Sequence, residues 1–182
     1  PHSCGRAVDS VEIRIDSPNP QKIVGEIQAR GLSIMTGYYK NPEATKASFT
    51  QDGWMNTGDL GIIDKNGNIF IKGRSKNMIL SANGQNIYPE EIEAVFNNQD
   101  YVLETVVVSR GANLNLVALI YFDKDKLKAD GIEGELFTQK LEEIRELVNQ
   151  TMPVYSKISQ IEVREEPFEK TPKMSIKRFL YS

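Results

Sequence analysis

Hydrophobic and polar residues recur with two different periods along the chain, and the two periods predict different elements. Alternating apolar and polar residues predict four strands in the first half, at 11–16, 26–30, 60–63 and 69–72. Runs of β-branched apolar residues predict two more strands, at 102–109 and 116–122. Within 134–150, apolar residues spaced by three or four positions predict a helix with one packed face, formed by Leu136/Phe137, Leu141, Ile144 and Leu147/Val148.

Two further helices are predicted from the residues at their N-termini. Asn41 and Pro42 begin "NPEATKASF", and an N-cap asparagine followed by proline is typical of a helix start. "YPEEIEAVFNN" has Pro89 at its start and Glu90 and Glu91 in the first turn, where carboxylates offset the helix dipole. Strand and helix patterns interleave without an internal repeat. The fold class is therefore predicted as α+β, with a boundary between two parts near residue 75.

The stretch "DKNGN" at 64–68 separates two of the predicted strands. Its Asn66-Gly67 pair favours a tight hairpin turn. A calcium-binding loop is the alternative interpretation, but the spaced carboxylates that an EF-hand needs are missing from this stretch. We therefore predict a hairpin here.

Composition argues against several classes of function. The 22 basic and 25 acidic side chains give a net charge of −3, whereas a general nucleic-acid binder shows a basic excess. One cysteine, Cys4, does not suffice for a disulfide framework or a thiolate-based zinc cluster, and one histidine, His2, does not suffice for a Ser–His–Asp triad or a His-rich metal site. No metal site is predicted in this chain. No apolar run approaches the roughly 20 residues of a spanning helix, and no signal peptide is visible. We expect a cytoplasmic protein, and peripheral contact with a membrane stays open.

The chain opens with "PHSCGRAVDSVEIRIDS", which contains no Met. The strand-like alternation of Val11, Ile13 and Ile15 begins almost at once. We therefore expect the chain to be a piece of a longer protein.

Candidate chemistry lies just before the predicted boundary. In "GWMNTGDLG", Asp59 has two carboxylate oxygens that match the two hydroxyls of a ribose diol, although Gly-Asp is also a common turn pair. Further on, Arg74 and Lys76 lie beside Gly73 and ahead of the flexible "SANGQN". This combination suggests either a long surface loop or a moving joint next to an anionic ligand.

Three long motifs occur in one order: "GEIQARGLSIMTGYYKNPEAT", "DGWMNTGDLG" and "GRSKNMILSANGQNIYPEEIE". With these motifs the chain resembles the adenylate-forming superfamily, which includes acyl-CoA synthetases, luciferases and peptide-synthetase adenylation domains. The resemblance runs over almost the whole chain, through to "PFEKTPKMSIKRFLYS". Within the superfamily, the tail and "IYPEEIEAVFNN" are most similar to bacterial long-chain fatty acid–CoA ligases.

This resemblance implies a domain organisation. Residues 1–75 would be the β-rich end of a large N-terminal domain, and residues 76–182 would be a small, mobile α+β C-terminal domain. The phosphate-binding loop, the Mg²⁺ site and the acyl pocket of such enzymes lie upstream of this chain. The chain by itself is therefore expected to be inactive.

The resemblance also implies roles for four residues. Asp59 matches the aspartate that binds the AMP ribose, and Arg74 matches the arginine that contacts the ribose and the adenylate. Lys76 falls at the hinge, whose backbone torsions swing the small domain between two poses. Gly84 matches a glycine that lets the pantetheine arm of CoA pass close to the backbone, while a simple left-handed turn at Gly84 is the structural alternative.

The catalytic lysine of the superfamily is missing from its expected position. Its motif resembles Pro-Lys-Thr-x-x-Gly-Lys-Ile-x-Arg, and alignment places Met174 at the glycine and Ser175 at the lysine. Adenylation has been lost, the lysine has migrated, or the alignment is shifted. An extended segment would put Lys173, Ser175 and Lys177 on one face, so Lys173 and, less favoured, Lys177 are the candidate catalytic residues. A solvated basic tail is the structural alternative.

The function implied by the resemblance is a two-step ligation. A fatty carboxylate attacks the α-phosphate of ATP to give acyl-AMP and pyrophosphate, and the CoA thiol then attacks the acyl carbonyl and releases AMP. The full-length protein would thus be an AMP-forming long-chain fatty acid–CoA ligase, with no nucleic-acid partner. The alternatives are a non-catalytic nucleotide- or acyl-binding homologue and an enzyme that loads a carrier protein.

Overall fold

The computed structural model describes residues 3–111 and 113–181, which form two compact units divided between Asn77 and Met78. We call them unit 1, up to Asn77, and unit 2, from Met78. His2 lies outside the described residues. Each unit contains a β-sheet, and helices accompany the strands in both, which confirms the predicted α+β class.

Unit 1 is built on a four-stranded antiparallel sheet in which the strands follow chain order. The strands are β1 (Val11–Asp16), β2 (Gly25–Gly31), β3 (Met55–Ile63) and β4 (Ile69–Arg74). A short helix, α1 (Pro42–Ala47), connects β2 to β3. The Asn41 side chain accepts the Ala44 N–H at 3.0 Å, which confirms the predicted helix start.

Trp54, the single tryptophan of the sequence, is buried in unit 1 between two guanidinium groups. Arg14 and Arg30 each lie 4.5 Å from the centroid of its ring. Arg14 also donates hydrogen bonds of 2.7 and 3.1 Å to Asp52, and these lower the pKa of the Asp52 carboxyl to about 2. Because unit 2 contains no tryptophan, Trp54 fluorescence reports on unit 1 alone.

Unit 2 begins with a small hairpin and continues into a three-stranded sheet. The hairpin consists of β5 (Ile79–Leu80) and β6 (Asn86–Ile87), and the helix α2 (Pro89–Asn97) follows it. The sheet pairs β7 (Val102–Arg110) antiparallel to β8 (Asn115–Phe122), and β8 parallel to β9 (Ile158–Arg164). The helices α3 (Lys124–Ala129) and α4 (Glu135–Thr151) form the crossover from β8 to β9.

Helices α2 and α4 pack on one face of this sheet, where Phe96 and Val148 are fully buried against Ile120. The opposite face is covered by the C-terminal segment 168–181, which we call the tail. Phe168 is 3% exposed there, and Ile176 packs in the same apolar cluster. Since β7 and β8 are covered on both faces, each contains consecutive buried apolar residues, Val106–Val108 in β7 and Leu116–Ile120 in β8.

The predicted apolar stripe of α4 is narrower in the structure. The residues that pack on the sheet are Phe137, Leu141, Ile144 and Val148. Leu136 and Leu147, by contrast, are 56% and 47% exposed. Successive residues of an α-helix point about 100° apart, so one member of each adjacent pair turns away from the core.

Four strands differ from the prediction, and two of them are the short strands β5 and β6, which the sequence patterns did not indicate. β3 begins at Met55 instead of residue 60, because its first half lacks apolar alternation, so Asp59 lies inside a strand. β9 was not predicted at all. Its pairing with β8 shifts between the partners of Leu116 and Val117, which leaves Ser159 as an extra residue and breaks the alternation of "ISQIEVR".

Four tight turns in the described part of the chain share one hydrogen-bond pattern; they span 50–54, 64–68, 81–85 and 171–175. In each, the carbonyl oxygen of the first residue accepts the N–H of the fourth, and its side-chain oxygen accepts the N–H of the fifth. The fourth residues all have positive φ: Gly53 82°, Gly67 82°, Gly84 74° and Met174 61°. The turn at 64–68 confirms the predicted hairpin, and Met174 is the single residue of the four with a steric cost.

A buried ion pair fastens the tail to α2 and β7. Arg178 Nη1 donates to both carboxylate oxygens of Glu93, at 2.7 and 2.8 Å, and Arg178 Nη2 donates to the Val107 carbonyl oxygen at 3.0 Å. Glu93 Oε1 also accepts the Val107 N–H at 2.6 Å. The pair thus satisfies both main-chain groups of Val107, which lies on an outer strand of the sheet.

Opposing effects act on the pKa of the Glu93 carboxyl. Burial raises the pKa of Glu93 above 4.5, while the Arg178 guanidinium and the Val107 N–H act in the other direction. The Glu93 side chain is 10% exposed, so little water replaces a lost partner. A buried carboxylate without its cation is strongly destabilising, and the anchor therefore requires both side chains.

Replacing Arg178 with Met should destabilise unit 2 in a pH-dependent manner. We expect the free energy of unfolding to fall by about 3–5 kcal/mol near neutral pH, because Glu93 loses its cation. Without that cation the folded-state pKa of Glu93 rises further above its unfolded value. The carboxyl is then protonated in mildly acidic solution, so the loss should be smaller at about pH 5 than at about pH 8. Urea unfolding followed by far-UV circular dichroism measures both, Trp54 fluorescence is the unit 1 control, and an equal loss at the two pH values would contradict the prediction.

Replacing Met174 with Gly should stabilise unit 2 by about 1 kcal/mol, because glycine adopts the positive φ without strain. Little burial is lost, since Met174 is 70% exposed. Met174→Ala is the control, because it keeps the strain and should give no gain. Gly84→Ala is the mirror experiment and should lose a similar amount. Urea unfolding of the three variants tests this, and equal stability of the Gly and Ala variants at 174 would refute it.

Candidate functional site

Asp59 and Arg74 lie opposite each other on the neighbouring strands β3 and β4. Arg74 Nε and Asp59 Oδ1 form an ion pair at 2.9 Å, and the Asp59 and Arg74 side chains are 26% and 59% exposed. The ion pair engages one carboxylate oxygen and leaves the guanidinium largely in solvent. A ligand with a vicinal diol and a nearby anionic group suits this arrangement, because the carboxylate accepts hydrogen bonds and the guanidinium donates them.

The backbone before Asp59 is fixed by side chains that the sequence analysis missed. The Thr57 hydroxyl donates to the Ile27 carbonyl oxygen at 2.7 Å and accepts the Asp59 N–H at 3.1 Å. Glu26 Oε1 accepts the Gly58 N–H at 3.2 Å. These contacts tie "TGD" to β2. The only sequence signal for them was that Glu26 and Thr57 lie within the quoted motifs.

Lys76 lies in the middle of a 3₁₀ turn, Ser75–Asn77, that directly follows β4. The Ser75 hydroxyl donates to the Gly58 carbonyl oxygen at 3.2 Å, which ties the start of the turn to β3. The Lys76 side chain is exposed and makes no hydrogen bond or ion pair with the residues that the structure describes. The compact units divide immediately after Asn77. The hinge role of Lys76 stays a prediction.

Gly84 lies at the tip of the β5–β6 hairpin, in the turn 81–85. Its N–H donates to the Ser81 carbonyl oxygen at 2.9 Å, and the Ser81 hydroxyl accepts the Gln85 N–H at 2.9 Å. A Cβ at Gly84 would meet no atom within 4 Å, so the positive φ, and not crowding, favours glycine in this turn. The passage of CoA at Gly84 stays a prediction.

Lys173, Ser175 and Lys177 do not share one face of an extended segment, contrary to the expectation from their alternation. The chain reverses at 172–174, where Pro172 supplies the φ of a turn. Lys173 is therefore at the tip of a hairpin. Ser175 and Lys177 lie on its returning arm, on either side of the partly buried Ile176.

The structure separates the four cations of the tail into two kinds. Three are paired with carboxylates: Lys170 with Glu104, Lys177 with Glu169 and Arg178 with Glu93. Lys173 is exposed and makes no ion pair with any residue that the structure describes. Its ammonium group is thus available to an anion from outside unit 2 without first breaking a contact.

Residues 3–111 and 113–181 include no group of three or more His, Cys, Asp or Glu side chains placed to hold a metal ion. They also include no helix with the length and apolar character needed to cross a membrane.

Two curated relatives show how wide the range of similar proteins is. The chain is 45% identical over 95 residues to a sulfoacetate–CoA ligase of Cupriavidus necator, covering 52% of this chain and 18% of the relative. It is 38% identical over 138 residues to long chain acyl-CoA synthetase 6, peroxisomal, of Arabidopsis thaliana, covering 74% and 18%. The chain thus spans about a fifth of the length of these two relatives.

A solved structure and a family model cover more of the chain. O-succinylbenzoate coenzyme A synthetase (MenE) from Bacillus subtilis, in complex with AMP, superposes with a TM-score of 0.79 at 25% identity, over 99% of this chain and 35% of that one. The model for the AMP-binding enzyme C-terminal domain matches residues 76–181. Because this match covers more than half of the chain, the chain belongs to the family of AMP-binding enzymes and carries their C-terminal domain.

Proposed function

We propose that the chain is part of an ATP-dependent acyl-CoA ligase that converts a carboxylic acid to acyl-AMP and transfers the acyl group to CoA. The observation that carries the proposal is the Asp59–Arg74 pair, which presents a partly exposed carboxylate beside a guanidinium on a rigid sheet. Membership of a family of AMP-binding enzymes supports a nucleotide as the ligand of this pair. The named relatives, which are CoA ligases or synthetases, support CoA as the acceptor.

The acid substrate is proposed to be a long-chain fatty acid. The tail and α2 motifs support this choice, as does the similarity to a long-chain acyl-CoA synthetase over 74% of the chain. The sulfoacetate–CoA ligase, more identical over a shorter stretch, argues for testing small acids in the same assay. A panel of acids from sulfoacetate to palmitate, with AMP and acyl-CoA measured together in the full-length protein, separates the two.

In the first step, Asp59 and Arg74 hold the ribose and the adenylate, and Lys173 supplies the cation for the reacting phosphate. Attack by the carboxylate brings two anions together, so a positive charge placed beside them lowers the barrier. Lys173 is preferred to Lys177 because its ammonium has no carboxylate partner among the described residues, whereas Lys177 pairs with Glu169 at 3.2 Å. In the second step Lys76 acts as the hinge, and CoA passes Gly84.

Ser175 favours a second candidate function. With a hydroxyl where the superfamily has its lysine, the protein would bind a nucleotide or an acyl group without adenylating the acid. The wild-type full-length protein distinguishes the two candidates. Formation of acyl-AMP from ATP and acid supports the ligase, and nucleotide binding with no acyl-AMP from any acid of the panel supports the binding protein.

Replacing Asp59 with Asn in the full-length protein should weaken nucleotide binding. A hydrogen bond to a charged group contributes about 1.5–3 kcal/mol, so we expect AMP to bind about 10- to 100-fold more weakly. Isothermal titration with AMP measures the effect. Asp52→Asn is the matched control, because Asp52 is also an ion-paired aspartate of unit 1. Equal affinities of the two variants would contradict the assignment of Asp59.

Replacing Lys173 with Met should slow acyl-AMP formation by about 100- to 1,000-fold, because one preorganised cation is lost from the transition state. Pyrophosphate exchange in the full-length protein measures this step. Lys177→Met is the control and should change the rate little. If instead the Lys177 variant loses activity and the Lys173 variant keeps it, the migrated cation is Lys177. If neither variant is slower, the migrated-lysine hypothesis is wrong.

A further inference from the structure

The hairpin that carries Lys173 is held to the sheet at both of its ends. On the incoming side, Glu104 of β7 accepts the Phe168 N–H at 3.1 Å with Oε2 and pairs with the Lys170 ammonium through Oε1. The Glu104 side chain is 16% exposed. The Glu104 carboxylate therefore binds the incoming arm twice, through the Phe168 main chain and through the Lys170 side chain.

On the outgoing side, the Glu93–Arg178 pair performs the same task. Arg178 directly follows Lys177 on the returning arm, and its guanidinium reaches both Glu93 oxygens and the Val107 carbonyl oxygen. A guanidinium held by three hydrogen bonds in a plane has a defined direction as well as a defined distance. The returning arm is therefore fixed in position and in rotation.

The two ends of the tail also close on each other. The Tyr181 hydroxyl accepts the Glu169 N–H at 2.8 Å, and the rings of Phe168 and Tyr181 meet edge to face at 4.9 Å. Arg164 lies over both rings, 4.8 Å from the Phe168 centroid and 4.7 Å from that of Tyr181. The first and last residues of the tail are thus in direct contact with each other.

Between these anchors, the residues at the tip, 172–174, are exposed. The tip's own hydrogen bonds, from Met174 N–H to Thr171 O at 2.9 Å and from Ser175 N–H to Thr171 Oγ1 at 3.3 Å, make it a defined turn. The position of Lys173 then depends on where the two arms are held. A further contact lies nearer the end of the tail, where Arg110 of β7 donates to the Tyr181 carbonyl oxygen at 3.1 Å.

We propose that Glu93 and Glu104 are positioning residues, which place the Lys173 ammonium for adenylation without touching the substrate. This inference rests on the proposed function. Displacing a reacting group by about 1 Å can lower a rate by about 100-fold, so loosening either arm is enough to slow the step that needs Lys173. The second step, acyl transfer from acyl-AMP to CoA, does not use this cation and is left unchanged.

The test compares the two half-reactions in the full-length protein. Glu93→Gln and Glu104→Gln keep the size of the side chain and remove its charge. Glu165→Gln is the matched control, because Glu165 pairs with Lys124 near the end of the same sheet and holds no part of the tail. We expect pyrophosphate exchange to slow by at least about tenfold in both positioning variants, with the KM for ATP unchanged. Acyl transfer from synthetic acyl-AMP should keep its wild-type rate.

A purely structural role gives a different result. If both half-reactions fall by the same factor, or if neither changes, Glu93 and Glu104 do not position Lys173. Should Glu93→Gln fail to fold, Glu104→Gln carries the same comparison on the other arm. Glu104→Asp, which keeps the charge, should recover part of the lost exchange rate.

Amide hydrogen exchange of the 182-residue chain provides a readout that does not depend on activity. In either Gln variant, the Met174 and Ser175 amides should exchange faster than in the wild type, while the amides of β8 keep their protection. Unchanged exchange at Met174 and Ser175 would overturn the positioning proposal. If instead the wild-type enzyme makes no acyl-AMP while exchange responds as expected, the proposed function fails and the anchoring of the tail stands.

Discussion

The interaction on which unit 2 depends is the buried pair of Glu93 and Arg178. It joins a helix, an outer strand and the tail, and it satisfies the N–H and the carbonyl oxygen of Val107 that no strand pairs with. Because two hydrocarbon-lined faces of one sheet must both be covered, a segment of only 14 residues has to act as a structural layer. Apolar contacts of Phe168 and Ile176 hold that layer against the sheet, and the ion pair fixes its position along the strands.

Local hydrogen bonding decides where the chain reverses. A Ser, Thr or Asp followed three residues later by a positive φ recurs in both units, and in three cases glycine takes that place. At the fourth, the protein accepts Met174 in the turn next to its candidate catalytic residue. Strain at such a position persists only where the surroundings hold it, and here both arms of the hairpin are fastened to carboxylates of α2 and β7.

The sequence predicts the Asp59–Arg74 pair more accurately than the arrangement of the lysines in the tail. Sequence motifs identify both Asp59 and Arg74. In the structure Asp59 Oδ1 and Arg74 Nε lie 2.9 Å apart, because a tight turn joins β3 to β4 and pairs the two residues across the strands. The assignment in the tail relied on alternation, which holds only for extended backbone. Since Pro172 and Thr171 form a turn, Lys173 lies apart from Ser175 and Lys177. The ion pair of Lys177 with Glu169 then distinguishes it from Lys173, which has no ion pair among the described residues.

The sequence by itself determined the α+β class, most strands, the starts of α1 and α2, the hairpin at 64–68 and membership of the superfamily, because these follow from local periodicity, caps and contiguous motifs. Tertiary structure decided the pairing of Glu93 with Arg178, 85 residues apart, and of Glu104 with Lys170, 66 residues apart. It also decided the position of β9, whose alternation is broken by a bulge. Such features depend on which surfaces meet when the sheet forms, and no local pattern encodes partners this far apart in the sequence.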